Sequence, residues 1–248
     1  VVKRTEAWKP TKYTFRGGEL RASRDPQYVS IYSRLVADIV ARRWGPALRE
    51  HARGVLADLG CGRVPLYEAY RDLVSDVICV DWADSFHPNE HLDFECDLTQ
   101  PLPLADGSVD TVVLSSVLEH VPEPASLWRE LQRILRTGGK LLVSVPFYYP
   151  LHEIPHDYYR YTEFALRRFA DTSGFQVVSL EPLGGAPVVL TDVLAKNLRR
   201  AGKHVGPAAA RLLQDGVALS LRLPRVGRFA GKTATTFPVH YFGVFRRL

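Results

Sequence analysis

The residues best suited to chemistry begin with Asp58-Leu59-Gly60-Cys61-Gly62, directly after the apolar run Val55 to Leu59. Such a run reads as a buried strand. Glycines at its exit let the chain turn tightly and let a ligand lie against bare backbone. In open α/β sheets the ligand sits at the carboxyl ends of the strands. Two further acids stand at matching points: Asp81 closes the run Val77 to Val80, and Asp97 closes Leu92 to Cys96. Asp81 can accept hydrogen bonds from both hydroxyls of a ribose. Asp97 can accept from an adenine amino group, with Leu98 covering the ring face and Trp82 placed to stack on it. A dinucleotide fingerprint needs a third glycine where Pro65 stands, and room for a pyrophosphate. Asp58 would repel a pyrophosphate and attract an ammonium. The pattern therefore favours a nucleoside that carries an amino acid.

A second concentration of chemical groups lies in the segment Pro146 to Thr162, PFYYPLHEIPHDYYRYT. His152 and His156 each precede a carboxylate, Glu153 and Asp157. A histidine oriented by a carboxylate can take a proton from a hydroxyl. His156 is preferred over His152 as that base, with Asp157 as the orienting group. The alternative is structural: Asp157 pairs with Arg160 and the histidines cap turns. Tyr148, Tyr149, Tyr158 and Tyr159 offer flat faces with polar tips, which suit a sugar or a phenol as well as they suit packing. Together with Arg160 they are the candidate acceptor contacts. His120 reads as a structural or cofactor-side group. His87 and His91 are four residues apart, but Pro88 between them disfavours a helical metal pair, so no metal ligands are assigned.

The chain that must position these groups has 248 residues, 46% of them hydrophobic and 24% charged. That is enough for one α/β domain with an elaboration. No apolar run approaches the roughly 18 residues that span a bilayer. Val1 to Arg16 is polar and basic, unlike a signal peptide. Three cysteines, Cys61, Cys79 and Cys96, form no C-x-x-C pair. They argue against a disulfide framework or zinc ribbon and for a reduced, cytoplasmic setting. The net charge is +5, yet Lys196 to Lys232 holds nine Lys or Arg against one acid, Asp215. The basic character is thus a local patch. It fits a solvated face, attraction of an anionic acceptor, or peripheral contact with an anionic membrane.

Strand and helix signals alternate along the chain. Asp25-Pro26 opens a helical pattern (Tyr28, Ile31, Tyr32, Leu35, Ile39) expected to end near Trp44-Gly45. After the glycine-bearing strand come Val77 to Val80, Leu92 to Cys96 and Val109 to Leu114. A helix is expected over Leu127 to Leu135, stopped by Gly138-Gly139, followed by a strand at Leu141 to Val145. A helix at Glu163 to Thr172, a strand at Phe175 to Leu180 and a last strand at Val239 to Phe245 complete the pattern. This alternation predicts a mostly parallel sheet with helices on both faces. Residues 183–236 are too many for a bare loop and predict a helical cap. Residues 1–49 then form an N-terminal helical lid or extension, and 50–248 the main domain.

VLADLGCGRVP at 55–65 resembles the first motif of class I methyltransferases. VICVDW, ECDL, SSVLEHV and LRTGGKLLVSVP resemble that family's later motifs in the right order, over about residues 50 to 181. The resemblance implies a Rossmann-like sheet of seven strands with an antiparallel last strand. It implies S-adenosyl-L-methionine as cofactor, its methionine part held by Asp58, Gly60, Cys61 and Gly62, its ribose by Asp81, and its adenine by Asp97 and Leu98. Ser115 is expected beside the cofactor. Within the family the chain is similar to type 11-like members, and the segment after the fifth strand resembles enzymes of polysaccharide and natural-product pathways. The resulting expectation is O-methylation of a small-molecule or glycan acceptor.

Two other functions compete. A nucleic-acid methyltransferase that modifies base amino groups would place N/D-P-P-Y/F after the fourth strand, where Ser115-Ser116-Val117-Leu118 stands. The basic stretch also lacks interleaved aromatics for base stacking until Phe229, so no nucleic-acid partner is expected. The third reading is a non-catalytic S-adenosylmethionine-binding module on the same fold.

Overall fold

The computed structural model describes residues 5–83 and 90–248. In chain order its main elements are the hairpin β1 (Tyr13–Arg16) and β2 (Glu19–Ala22), α1 (Arg34–His51), β3 (Val55–Leu59), α2 (Tyr67–Tyr70), β4 (Asp76–Asp81), β5 (Phe94–Glu95), β6 (Val109–Ser115) and α3 (Pro124–Ile134). There follow β7 (Leu135–Pro146), α4 (Glu163–Thr172), β8 (Phe175–Gly184), α5 (Ala186–Asn197), α6 (Val205–Ser220), α7 (Pro224–Ala234) and β9 (Pro238–Arg247). Among the described residues, seven strands form one sheet in the order β5-β4-β3-β6-β7-β9-β8. β3 runs parallel to both β4 and β6, and β9 lies antiparallel between β7 and β8. The chain leaves β3 toward β4 on one side and resumes at β6 on the other. Strand order reverses there, which opens a crevice at the carboxyl ends of β3 and β6.

Both faces of the sheet are covered, as its uninterrupted aliphatic strands require. One cluster gathers Trp44 and Leu48 of α1, Tyr70 of α2 and Phe242 of β9. The Trp44 and Phe242 rings meet edge to face at 4.8 Å. The other cluster centres on Trp128 of α3, whose ring lies 5.2 Å from Phe245 and 5.4 Å from Phe175. These layers fix the strand ends from which the site is built.

Four expected boundaries are corrected. Asp25 does not open a long helix. Its Oδ1 accepts from the Gln27 N–H at 2.9 Å and closes a turn, and α1 starts at Arg34. α1 also passes through Gly45 and Pro46 to His51. Pro46 removes one helical donor, but Trp44, Ala47 and Leu48 are fully buried, and their packing carries the helix past it. Gly138-Gly139 does not stop a helix either. α3 already ends at Ile134, and the glycines lie inside β7, where the pairing shifts from Val109↔Leu135 to Thr111↔Lys140. Gly138, with φ 81°, provides the bulge. The third strand is shorter than read, spanning only Phe94–Glu95.

The stretch between β8 and β9 folds as α5, α6 and α7. It is tied to the N-terminal segment by Gln214 of α6, which accepts from Leu35 N–H at 2.9 Å and donates to Ile31 C=O at 2.6 Å. No helix among the described residues is long and apolar enough to cross a membrane.

Candidate cofactor and acceptor site

A cavity of about 640 Å³ opens at the carboxyl ends of β3, β4 and β6. Asp58, Gly60, Cys61, Gly62, Asp81, Trp82, Asp97, Leu98 and Ser115 all line it. Gly60 has φ 64°, and a Cβ there would come within 2.6 Å of the Val117 side chain. Only glycine lets this turn form. Gly62 N–H donates to Asp81 Oδ2 at 2.7 Å, and Trp82 N–H donates to Asp81 Oδ1 at 2.9 Å. The loop after β3 is thereby fastened to the end of β4.

Asp58 is buried and accepts from the Tyr70 hydroxyl at 2.8 Å. Burial pushes its carboxyl up to about 7; the Tyr70 hydrogen bond opposes this and the Asp81 charge reinforces it. A carboxylate so placed gains from a cation such as an ammonium. Ser115 Oγ is buried and makes no hydrogen bond within the protein. An orphaned polar atom facing this cavity, beside two strand-end acids and a glycine turn, fits a nucleoside–amino acid ligand. Asp97 is held by its own turn, accepting from Thr99 N–H at 2.9 Å and Thr99 hydroxyl at 2.8 Å. The Cys61 thiol is pushed well up, chiefly by the neighbouring Cys79 and by burial, so it stays neutral.

On the acceptor side, His152, His156, Tyr149 and Tyr158 line the cavity, while Tyr148, Asp157, Tyr159 and Arg160 are not part of its lining. Asp157 is clamped by Arg160 through contacts of 2.6 and 2.8 Å and by His152 N–H at 2.9 Å. Arg160 holds that carboxyl down at about 2. Arg160 donates further to the carbonyls of Tyr149, Pro150 and Tyr159. Asp157 and Arg160 thus form the internal clamp of the loop that carries both histidines. The Tyr159 hydroxyl donates to Pro122 C=O at 2.9 Å. His156 sits edge-on to Trp82 at 5.1 Å, which sets it at the junction of the two halves of the cavity.

Several lining residues escaped the reading of the sequence. Lys12 comes from just before the N-terminal hairpin and His240 from β9. Burial holds His240 neutral, down at about 3. Glu119, fully buried in the turn after β6, has its carboxyl raised to about 8 by burial, and neither oxygen has a hydrogen-bond partner. Only its place in the LEH triplet beside His120 signalled it. His87, weighed above as half of a metal pair, lies outside the described residues.

Residues 57–143 match the family described as "Methyltransferase domain". The ubiquinone biosynthesis O-methyltransferase of Xanthomonas euvesicatoria pv. vesicatoria is 31% identical over 105 residues, covering 38% of this chain and 44% of that protein. The demethylmenaquinone methyltransferase of Renibacterium salmoninarum is 29% identical over 138 residues, 51% of this chain and 56% of that protein. The chain thus spans about half the length of these curated relatives. Among solved structures, a geranyl diphosphate methyltransferase in complex with S-adenosylmethionine superposes with a TM-score of 0.54 at 14% identity, covering 91% of this chain and 93% of that one. Residues 57–143 thus match a methyltransferase domain, and the strand order and cavity around them are those of a Rossmann-like methyltransferase fold.

Proposed function

We propose that the protein transfers a methyl group from S-adenosylmethionine to a hydroxyl of a small-molecule or glycan acceptor. The observation that carries this reading is the convergence of Asp58, Asp81 and Asp97, from three successive strand ends, on one cavity that continues into a histidine- and tyrosine-lined half. When bound, the cofactor supplies a methyl already activated on a sulfonium. Asp58 and the turn at Gly60, Cys61 and Gly62 hold its amino-acid part. Asp81 accepts from the ribose, and Asp97, Leu98 and Trp82 enclose the adenine. What is left to the protein is alignment of the acceptor with the sulfur–methyl axis, and removal of the hydroxyl proton as the oxygen–carbon bond forms.

His156 is the proton acceptor in this scheme. It lines the cavity, and Tyr158 Oη lies 3.3 Å from its Nδ1. Asp157 and Arg160 hold the loop that presents it. Tyr149 and Tyr158 provide faces for the acceptor. The similarity to a ubiquinone biosynthesis O-methyltransferase supports oxygen as the atom modified. Three free cysteines support a reducing, cytoplasmic setting. The basic segment 196–232 is read as a peripheral contact for an anionic membrane.

The test is incubation with methyl-labelled S-adenosylmethionine and an extract of the source organism. Label is expected in small molecules or glycans; label in nucleic acid overturns the acceptor class. With the acceptor in hand, His156→Ala should lower kcat by about 10²–10⁴ while leaving S-adenosylhomocysteine binding intact. Full turnover in that variant removes the base role.

A further inference from the structure

We propose that Glu119, His120 and His152 form a binding site for one divalent transition-metal cation on the acceptor side of the cavity. The three come from two segments, the turn after β6 and the loop after β7, and one ligand atom from each lies within 4.8 Å of the others. All three line the cavity. The site stands apart from the choice of acceptor.

Two orphaned buried atoms 3.8 Å apart, Glu119 Oε1 and His120 Nε2, with His152 Nε2 at 3.9 Å from the same carboxyl oxygen, carry the inference. His120 Nδ1 lies 2.8 Å from the His156 carbonyl oxygen, which can only accept. The proton of His120 therefore resides on Nδ1, and Nε2 presents a bare lone pair. That Nε2 is buried, has no hydrogen-bond partner, and lies 3.8 Å from Glu119 Oε1 and 3.6 Å from Glu153 Oε2. In His152, Nδ1 lies 3.3 Å from Asp157 Oδ2 without a hydrogen bond, and Nε2 turns toward Glu119. It lies 3.9 Å from the same Glu119 oxygen.

Two imidazole nitrogens and a carboxyl group therefore face one another. Glu119 is fully buried with no hydrogen bond to either oxygen. A buried carboxyl group with no hydrogen-bond partner is costly in a protein interior. Lys12, in the same cavity, feels the Glu119 charge but makes no hydrogen bond to it. A cation among the three atoms satisfies all of them together. Ligating histidines commonly donate their other N–H to a carbonyl or a carboxylate, as His120 does here to the His156 carbonyl.

The donor set also selects the ion. Two nitrogens and one carboxylate suit zinc, manganese, cobalt or ferrous iron, whereas calcium and magnesium prefer oxygen alone. Ligands at about 2.1 Å in a tetrahedral arrangement are about 3.4 Å apart. Two of the three separations are 3.8 and 3.9 Å and all lie within 4.8 Å, so side-chain rotation brings the ligand atoms together on binding. Three protein ligands leave a coordination position open toward the cavity.

The experiment strips the purified protein with a chelator and titrates it with Co²⁺, following the visible absorption of the bound ion. One equivalent of Co²⁺ is expected, displaced by Zn²⁺. Glu119→Gln and His152→Asn should each weaken binding at least about tenfold, with S-adenosylhomocysteine affinity unchanged. The second variant leaves the buried carboxylate in place and carries the test if the first fails to fold. No Co²⁺ signal in the wild type, or a signal unaltered in the folded variants, overturns the site. Loss of S-adenosylhomocysteine binding by the wild type would instead overturn the cofactor reading and leave this one standing.

Discussion

The Tyr70 hydroxyl donates to Asp58 Oδ2 at 2.8 Å, deep beneath the glycine turn. Without that bond the buried carboxyl would rise further, because burial is the larger influence and Asp81 adds to it. Asp58 sits at about 7, so the ligand-free protein binds a proton there below neutrality. An ammonium on the cofactor prefers the ionised form. Affinity for S-adenosylhomocysteine should therefore be full above about pH 7 and fall as pH drops, by up to about tenfold per unit. Tyr70→Phe should move the midpoint upward. Calorimetry at a series of pH values checks this; a flat profile between pH 5.5 and 7.5 would separate Asp58 from the ammonium.

Asp81 is fixed by two backbone N–H groups, from Gly62 and Trp82. Its orientation exists before any ligand arrives. Asp81→Ala should weaken cofactor binding by about 1.5–3 kcal/mol per lost charged hydrogen bond. It should also loosen the turn at Gly62. Unchanged affinity by calorimetry would overturn the ribose assignment.

These cofactor groups were legible because they share one local grammar: an aliphatic strand, then an acid or a glycine at its end. Burial of each strand on both faces makes that grammar hydrophobic and easy to see. The acceptor half follows no such rule. Lys12, Glu119 and His240 reach the cavity from just before a hairpin, a turn and the last strand. No spacing in sequence relates them. Asp157 and Arg160 were visible as charges, but whether they face the acceptor or each other depends on how the loop closes. The extent of α1 was misjudged for a related reason. Gly45-Pro46 is a local stop signal, and the burial of Trp44, Ala47 and Leu48 overrides it.

Trp128 offers a test of the packing separate from the site. It is fully buried, meets Phe245 and Phe175 edge to face, and stacks on Phe169 at 6.1 Å. It does not line the cavity. Trp128→Ala should cost about 3–5 kcal/mol of stability, read as a lower denaturation midpoint. Cofactor affinity of the folded fraction should stay at the wild-type value. A loss of affinity without a loss of stability would mean that this face of the sheet is coupled to the site.

The cap helices carry exposed apolar residues at helical spacing, Leu190, Val193 and Leu194 on α5, and Val205, Leu212 and Leu219 on α6. Arg199, Arg200 and Lys203 lie in the exposed link between these helices. Apolar side chains beside exposed cations complement an anionic bilayer surface, where each Lys or Arg contributes about 1 kcal/mol. The protein should co-sediment with vesicles containing phosphatidylglycerol and much less with pure phosphatidylcholine. Added salt should weaken binding, since screening acts on exposed charges. Arg199→Glu with Arg200→Glu should lower the partition coefficient by more than an order of magnitude, because each change removes an attraction and adds a repulsion. Equal binding to both vesicle types would show apolar adsorption alone. Absence of binding to either would make the segment a solvated face, with its cations left to act on an anionic acceptor.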